Sequence, residues 1–146
     1  MTTIQKNLVR ESFSKVAPIS DAAAEMFYNR MFEIDPTTEP LFHGDMREQY
    51  RKLMQVLAVA VASLDRLDEI LPDVQELGRK HAAYGVTDEH YDAGGTALLW
   101  TLEKGLGDAF TEETREAWAT VYGMLTSAMK AGVPSRDREG AVSQAA

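Results

Sequence analysis

The sequence predicts an all-α domain, and three observations carry that prediction. Apolar residues recur three and four positions apart through almost the whole chain. No stretch alternates apolar and polar residues as a half-buried strand does, and no Asn-Gly hairpin turn occurs. Helix start and stop signals punctuate the chain at Pro18, Pro36, Pro40, Pro72, Gly85, Thr87 and Thr111. A length of 146 residues suits one such domain with a single core.

The elements follow in order. A first helix is expected over residues 4–17, with Leu8, Val9, Phe13 and Val16 inward and Pro18 at its end. Ser20 then reads as the N-cap of a second helix, whose stripe is Phe27, Tyr28, Met31 and Phe32. Pro36 and Pro40 bracket a turn-like segment leading into Leu41 and Phe42. A long helix over residues 46–64 carries two apolar stripes: Tyr50, Leu57, Val61 and Leu64, and about 100° away Leu53, Val56 and Ala60, headed by Gln49. Around Pro72 the chain is expected to restart into a helix that Gly85 stops. Thr87, with Asp88 and Glu89, opens the next helix, and Thr111, with Glu112 and Glu113, opens the last, which ends near Lys130. Residues 1–131 thus form one domain, and residues 132–146, small and polar without periodicity, are expected to be a flexible tail.

Composition narrows the function. Fifteen Lys and Arg against twenty-three Asp and Glu leave a net charge of -8, a field that repels phosphate backbones, so nucleic acid is not an expected partner. The chain has no cysteine, which removes disulfides, thiolate metal sites and covalent haem attachment through a Cys-x-x-Cys-His motif. No apolar run reaches membrane-spanning length, and the N-terminus lacks a signal-peptide core, so a cytoplasmic protein without a membrane span is expected.

Few residues are candidates for chemistry. His81 shares a helix face with Val74 and Leu77, which suits either a core histidine bonded to a carbonyl or a metal ligand. His43, beside Gly44 and Asp45, and His90, in the first turn of a helix, read as solvated. Tyr28 lies inside an apolar stripe and needs a partner for its hydroxyl, while Gln49 sits at a helix margin. Serine nucleophile elbows, phosphate loops, dinucleotide fingerprints and zinc spacings are absent from the sequence.

Taken in order, these features resemble a globin. Phe27-Tyr28, Pro40-Leu41-Phe42, the greasy helix headed by Gln49, Leu77-Gly78-x-x-His81, His90-Tyr91 and Trp118-x-x-x-Tyr122-Gly123 recur at matching separations over residues 4–129. The chain is most similar to the haem domain of flavohaemoglobins and to bacterial single-domain globins, one of which shares Leu53-Met54-Gln55-Val56-Leu57 and Tyr84-Gly85-Val86.

The resemblance implies a three-over-three helical sandwich around one haem b, iron protoporphyrin IX. It makes His81 the proximal iron ligand, with Phe42 wedged against the porphyrin, Leu77 beneath it and Leu53 and Val56 on the opposite side. Tyr28 and Gln49 match a distal polar pair that steadies bound dioxygen, and with no histidine at the Gln49 position, distal imidazole ligation is not expected. Tyr91 matches a tyrosine near the proximal histidine that pairs in flavohaemoglobins with a glutamate on the last helix; that place falls here at Pro134. The implied function is reversible binding of dioxygen, with carbon monoxide and nitric oxide as further ligands. The alternative is a nitric oxide dioxygenase working with a separate reductase. A sensing module and a haem-free helical interaction domain are further readings, and a visible spectrum separates the last from the rest.

Overall fold

In the computed structural model, which describes residues 1–133, six α-helices account for most of the described residues. They are α1 (Thr3–Val16), α2 (Ser20–Ile34), α3 (Met46–Ala62), α4 (Leu67–Ala83), α5 (Asp88–Leu106) and α6 (Glu112–Ala131). Short 3-10 turns at Ala17–Ile19, Pro36–Leu41 and Gly107–Ala109 join some of them. The described residues contain no strand and no helix long and apolar enough to cross a membrane. Of the expected tail, Gly132 and Val133 close the end of α6; the rest lies outside the described residues.

Helix ends follow from local chemistry. Thr87 and Thr111 cap α5 and α6 with their hydroxyls, and Asp45 caps α3 by accepting from the Arg47 N–H. Gly85 takes φ of 95° directly after α4, a conformation in which a β-carbon would clash.

Two expectations need correction. Ser20 is not a cap: its φ and ψ of -56° and -41° are already helical, because the 3-10 turn at Pro18 runs straight into α2. Nor does the chain restart at Pro72. α4 begins at Leu67 and runs through the proline, which forfeits one main-chain hydrogen bond while its ring holds a φ suited to the helix. The apolar face of Leu67, Ile70, Val74 and Leu77 continues across it.

Helices α2, α5 and α6 form one layer, and α1, α3 and α4 cross over it. The core between the layers is built from Val9, Phe27, Met31, Val61, Leu98, Leu102, Ala117, Trp118 and Val121. Trp118 is fully enclosed, and its indole N–H donates to Ser12 Oγ at 2.7 Å, tying α6 to α1. α4 lies directly on α6: a β-carbon on Gly78 would sit 1.9 Å from the Met129 carbonyl oxygen, so only glycine fits this crossing. By contrast α3 and α4, joined by only four residues, hardly touch one another.

Candidate functional site

The candidate residues fall into two clusters, one around His81 on α4 and one around Tyr28 on α2. On α4, His81 is half-buried, and its Nδ1 lies 2.8 Å from the Leu77 carbonyl oxygen. A carbonyl only accepts, so Nδ1 carries the proton and donates. Burial moves the imidazole pKa down, against a smaller upward pull from that hydrogen bond, which favours the neutral ring. Nε2 is thereby left with its lone pair, and among the described residues no hydrogen bond engages it. Fixing one ring nitrogen by a backbone carbonyl is how proteins aim the other at a metal.

Tyr91, at the start of α5, lies beside His81 with ring centroids 6.2 Å apart and planes 15° from parallel. Burial, with the nearby Asp88 carboxylate, raises its phenol pKa to about 12. Its main-chain carbonyl accepts a 2.6 Å hydrogen bond from the Tyr122 hydroxyl. The Lys130 ammonium sits 5.3 Å from the Tyr91 ring centroid and 3.4 Å from Asp88. The position matching the flavohaemoglobin glutamate, Pro134, lies outside the described residues.

A second cluster is aromatic. Tyr28 is buried on α2, and its ring meets Phe42 edge-on at 5.1 Å and Tyr50 at 5.7 Å. Its hydroxyl reaches the main-chain carbonyl of Gln49 at 3.5 Å, too long for a strong bond. Burial, and secondarily Tyr50, raises the Tyr28 pKa, so the group stays a phenol and keeps its proton to donate. Tyr28, Phe42 and Gln49 are therefore brought together, although the contact to Gln49 runs through its backbone, with the side chain half-buried.

The remaining candidates divide. Leu53 helps line a small interior cavity with Phe27, Leu57 and Leu98. Val56, one turn on, stays 37% exposed, and Val59 is 53% exposed. Both are apolar side chains left exposed on a helix whose Ala60 and Val61 are buried in the core. His43 is exposed, as expected. His90 is not simply solvated: its Nδ1 accepts from the Thr87 N–H at 3.0 Å, completing a capping box, and its Nε2 lies 2.9 Å from Thr37 Oγ1. Thr37 in turn donates to Asp35, whose carboxyl pKa is lowered mainly by that bond. A histidine three residues after a threonine cap was the sequence signal for this role.

The donor set can be tested against a metal or a cofactor. Among the described residues no three His, Cys, Asp or Glu side chains gather to hold a bare ion. A single imidazole with Nδ1 fixed and Nε2 uncommitted suits a metal that arrives already held by a flat apolar macrocycle. Tyr122 entered the sequence reading only within the Trp118-x-x-x-Tyr122-Gly123 motif, without a role; its ring lies against Gly94 and Gly95, and two adjacent glycines inside a helical pattern were the available sign of that packing.

Comparison with known proteins gives the family and the fold. The family model described as Globin matches residues 25–129. Neuroglobin from Danio rerio is 33% identical over 141 residues, covering 87% of this chain and 89% of its own; neuroglobin from Chaenocephalus aceratus is 31% identical with the same coverage. Among solved structures, the hexacoordinated haem protein of an anhydrobiotic tardigrade superposes with a TM-score of 0.81 at 18% identity, over 90% of this chain and 94% of that one. A bacterial globin from Campylobacter jejuni gives 0.77 at 23% identity, over 89% and 97%.

Proposed function

The chain belongs to the globin family, and on that premise we propose that it holds haem b between α3 and α4 through His81 and binds dioxygen reversibly. The single observation that carries the reading is the His81 imidazole, held neutral with Nδ1 bonded to the Leu77 carbonyl and Nε2 uncommitted. Haem, when bound, supplies an iron with a free position for a diatomic gas. The absence of cysteine from these 146 residues fits a haem held without thioether links.

The other residues have definite tasks in this reading. Leu77 contributes its carbonyl to fix the imidazole tautomer and its side chain to the apolar floor. Phe42 closes one edge, and Leu53 and Val56 exclude water from the opposite face. Tyr28 directs its proton into the pocket, since its bond to the Gln49 carbonyl is too weak to hold it. Gln49 supports that donor from the start of α3. Because α3 contains no histidine, the side facing Tyr28 is left to the gas and not to a second imidazole. Carbon monoxide and nitric oxide would enter the same pocket.

Stoichiometric uptake of haemin with a Soret band, lost in His81→Gly, followed by reversible oxygen binding after reduction, is the expected result. Absence of a Soret band after reconstitution would contradict the proposal. Sustained nitric oxide consumption on adding a ferric reductase and electron donor would move the reading to nitric oxide dioxygenase.

A further inference from the structure

The Pro36–Leu41 turn is held in shape locally. Asp35 Oδ1 accepts from the Thr37 N–H at 3.0 Å, Thr38 Oγ1 donates to the Asp35 carbonyl at 2.7 Å, and the Phe42 N–H donates to the Glu39 carbonyl at 3.1 Å. None of these bonds sets where the turn lies against α5. Among the described residues one hydrogen bond spans that join, between His90 Nε2 and Thr37 Oγ1 at 2.9 Å. The neighbouring groups fix its protons. His90 Nδ1 accepts from the Thr87 N–H at 3.0 Å, so Nδ1 is bare and the ring carries its hydrogen on Nε2. Nε2 therefore donates to Thr37 Oγ1, whose own hydrogen goes to Asp35 Oδ1 at 2.6 Å. Donors linked in series and ending on a carboxylate strengthen one another.

We infer that His90 and Thr37 are positioning residues for Phe42. Phe42 follows the turn directly, so its ring moves with the turn, and it meets Tyr28 edge-on at 5.1 Å and Phe32 at 5.8 Å. After it, His43, Gly44 and Asp45 are exposed, and Gly44 takes φ of 84°, so the chain leading into α3 is not packed on the core. Phe42 is therefore held from the upstream side, and the clasp onto α5 sets how closely its ring presses on Tyr28. The two ring nitrogens of His90 have separate tasks: Nδ1 closes the first turn of α5, and Nε2 holds the turn that leads into Phe42. The effect on haem and gas rests on the site proposed above, in which Phe42 closes one edge and Tyr28 faces the gas.

The test is Thr37→Val, which removes the hydroxyl at an exposed position and keeps the shape of the side chain. Nuclear Overhauser contacts between the Phe42 and Tyr28 rings, recorded on the protein as isolated, should weaken, and Thr37→Ser, which keeps a hydroxyl, should retain them. In the haem-loaded protein, oxygen release and transfer of haem to an acceptor apoprotein should each be roughly two- to tenfold faster in Thr37→Val, the range spanned by one net hydrogen bond. His90→Ala should act in the same direction, and the double variant should add little. Ring contacts and rates unchanged in both variants, even with a lower melting temperature, would make His90 a helix cap only and overturn the inference. A wild-type chain that takes up no haem would instead defeat the proposed function, and the ring contacts, which need no haem, would still decide this inference.

Discussion

His81 and Tyr28 divide the proposed chemistry between them, and each makes a separate quantitative claim. His81→Gly should lose haem or hold it only with added imidazole, whereas His43→Ala should keep the wild-type spectrum, because His43 is exposed; titration with haemin distinguishes them. Tyr28→Phe removes a donor whose existing partner, 3.5 Å away, engages it weakly. Losing a hydrogen bond to a partly charged acceptor costs about 1.5–3 kcal/mol, or roughly ten- to a hundredfold in oxygen dissociation rate. Gln49→Leu should act in the same direction with smaller effect, and carbon monoxide, less polar, should respond less. Stopped-flow release rates measure all three; an unchanged oxygen rate in Tyr28→Phe would mean that its hydroxyl points elsewhere. The positions of these residues were legible in the sequence from their order and spacing. The hydrogen bonds were not, since whether a buried tyrosine meets a carbonyl or leaves its proton free depends on how α2 and α3 cross.

At the scale of elements, the face of α4 is fixed by its contact with α6. Gly78→Ala would force a methyl group into the Met129 backbone, and backbone cannot swing aside as a side chain can. A loss of about 1–3 kcal/mol or more in urea unfolding is expected, with weaker haem retention because His81 sits one turn beyond. The cap of α5 is a second local feature: Thr87→Ala should cost about 1 kcal/mol, and His90→Ala should lower the melting temperature while leaving the spectrum nearly intact, since its ring bonds Thr87 and Thr37. Ser20 and Pro72 show why helix boundaries were harder to read than helix faces. Cap chemistry presumes a break in the chain path, and α2 has none at Ser20, while the continuous apolar face of α4 outweighs one missing hydrogen bond at Pro72.

The connection between α3 and α4 is also tied electrostatically to α1, a neighbour in the same layer. Asp65 accepts from Lys6 Nζ at 3.1 Å and from Arg10 at 2.7 Å, and these bonds hold its pKa below the usual carboxylate range. A depressed carboxyl pKa stabilises the folded state above the unfolded value, and that support is lost as pH falls through the folded pKa. Asp65→Asn should therefore flatten the acid end of the stability profile while leaving the slope near neutrality unchanged. Thermal melts from neutral pH into the acid range, on both proteins, check the sign.

Across the whole molecule, helical periodicity was sufficient for the fold class because every helix buries one stripe against a neighbour. α3 is the informative exception: Leu53 and Ala60 of its second stripe pack on the core, while Val56, and Val59 beside it, stay exposed next to an α4 the helix hardly touches. Periodicity could show two apolar stripes but not that Val56 of the second stays exposed while its neighbours in the stripe are packed. The central claim is that the uncommitted nitrogen of His81 is there to hold haem. Titrating the apoprotein with haemin while recording the visible spectrum tests it most directly. A Soret band that saturates at one haem per chain and disappears in His81→Gly is the predicted result; no band at any ratio, or a band indifferent to His81, would contradict it.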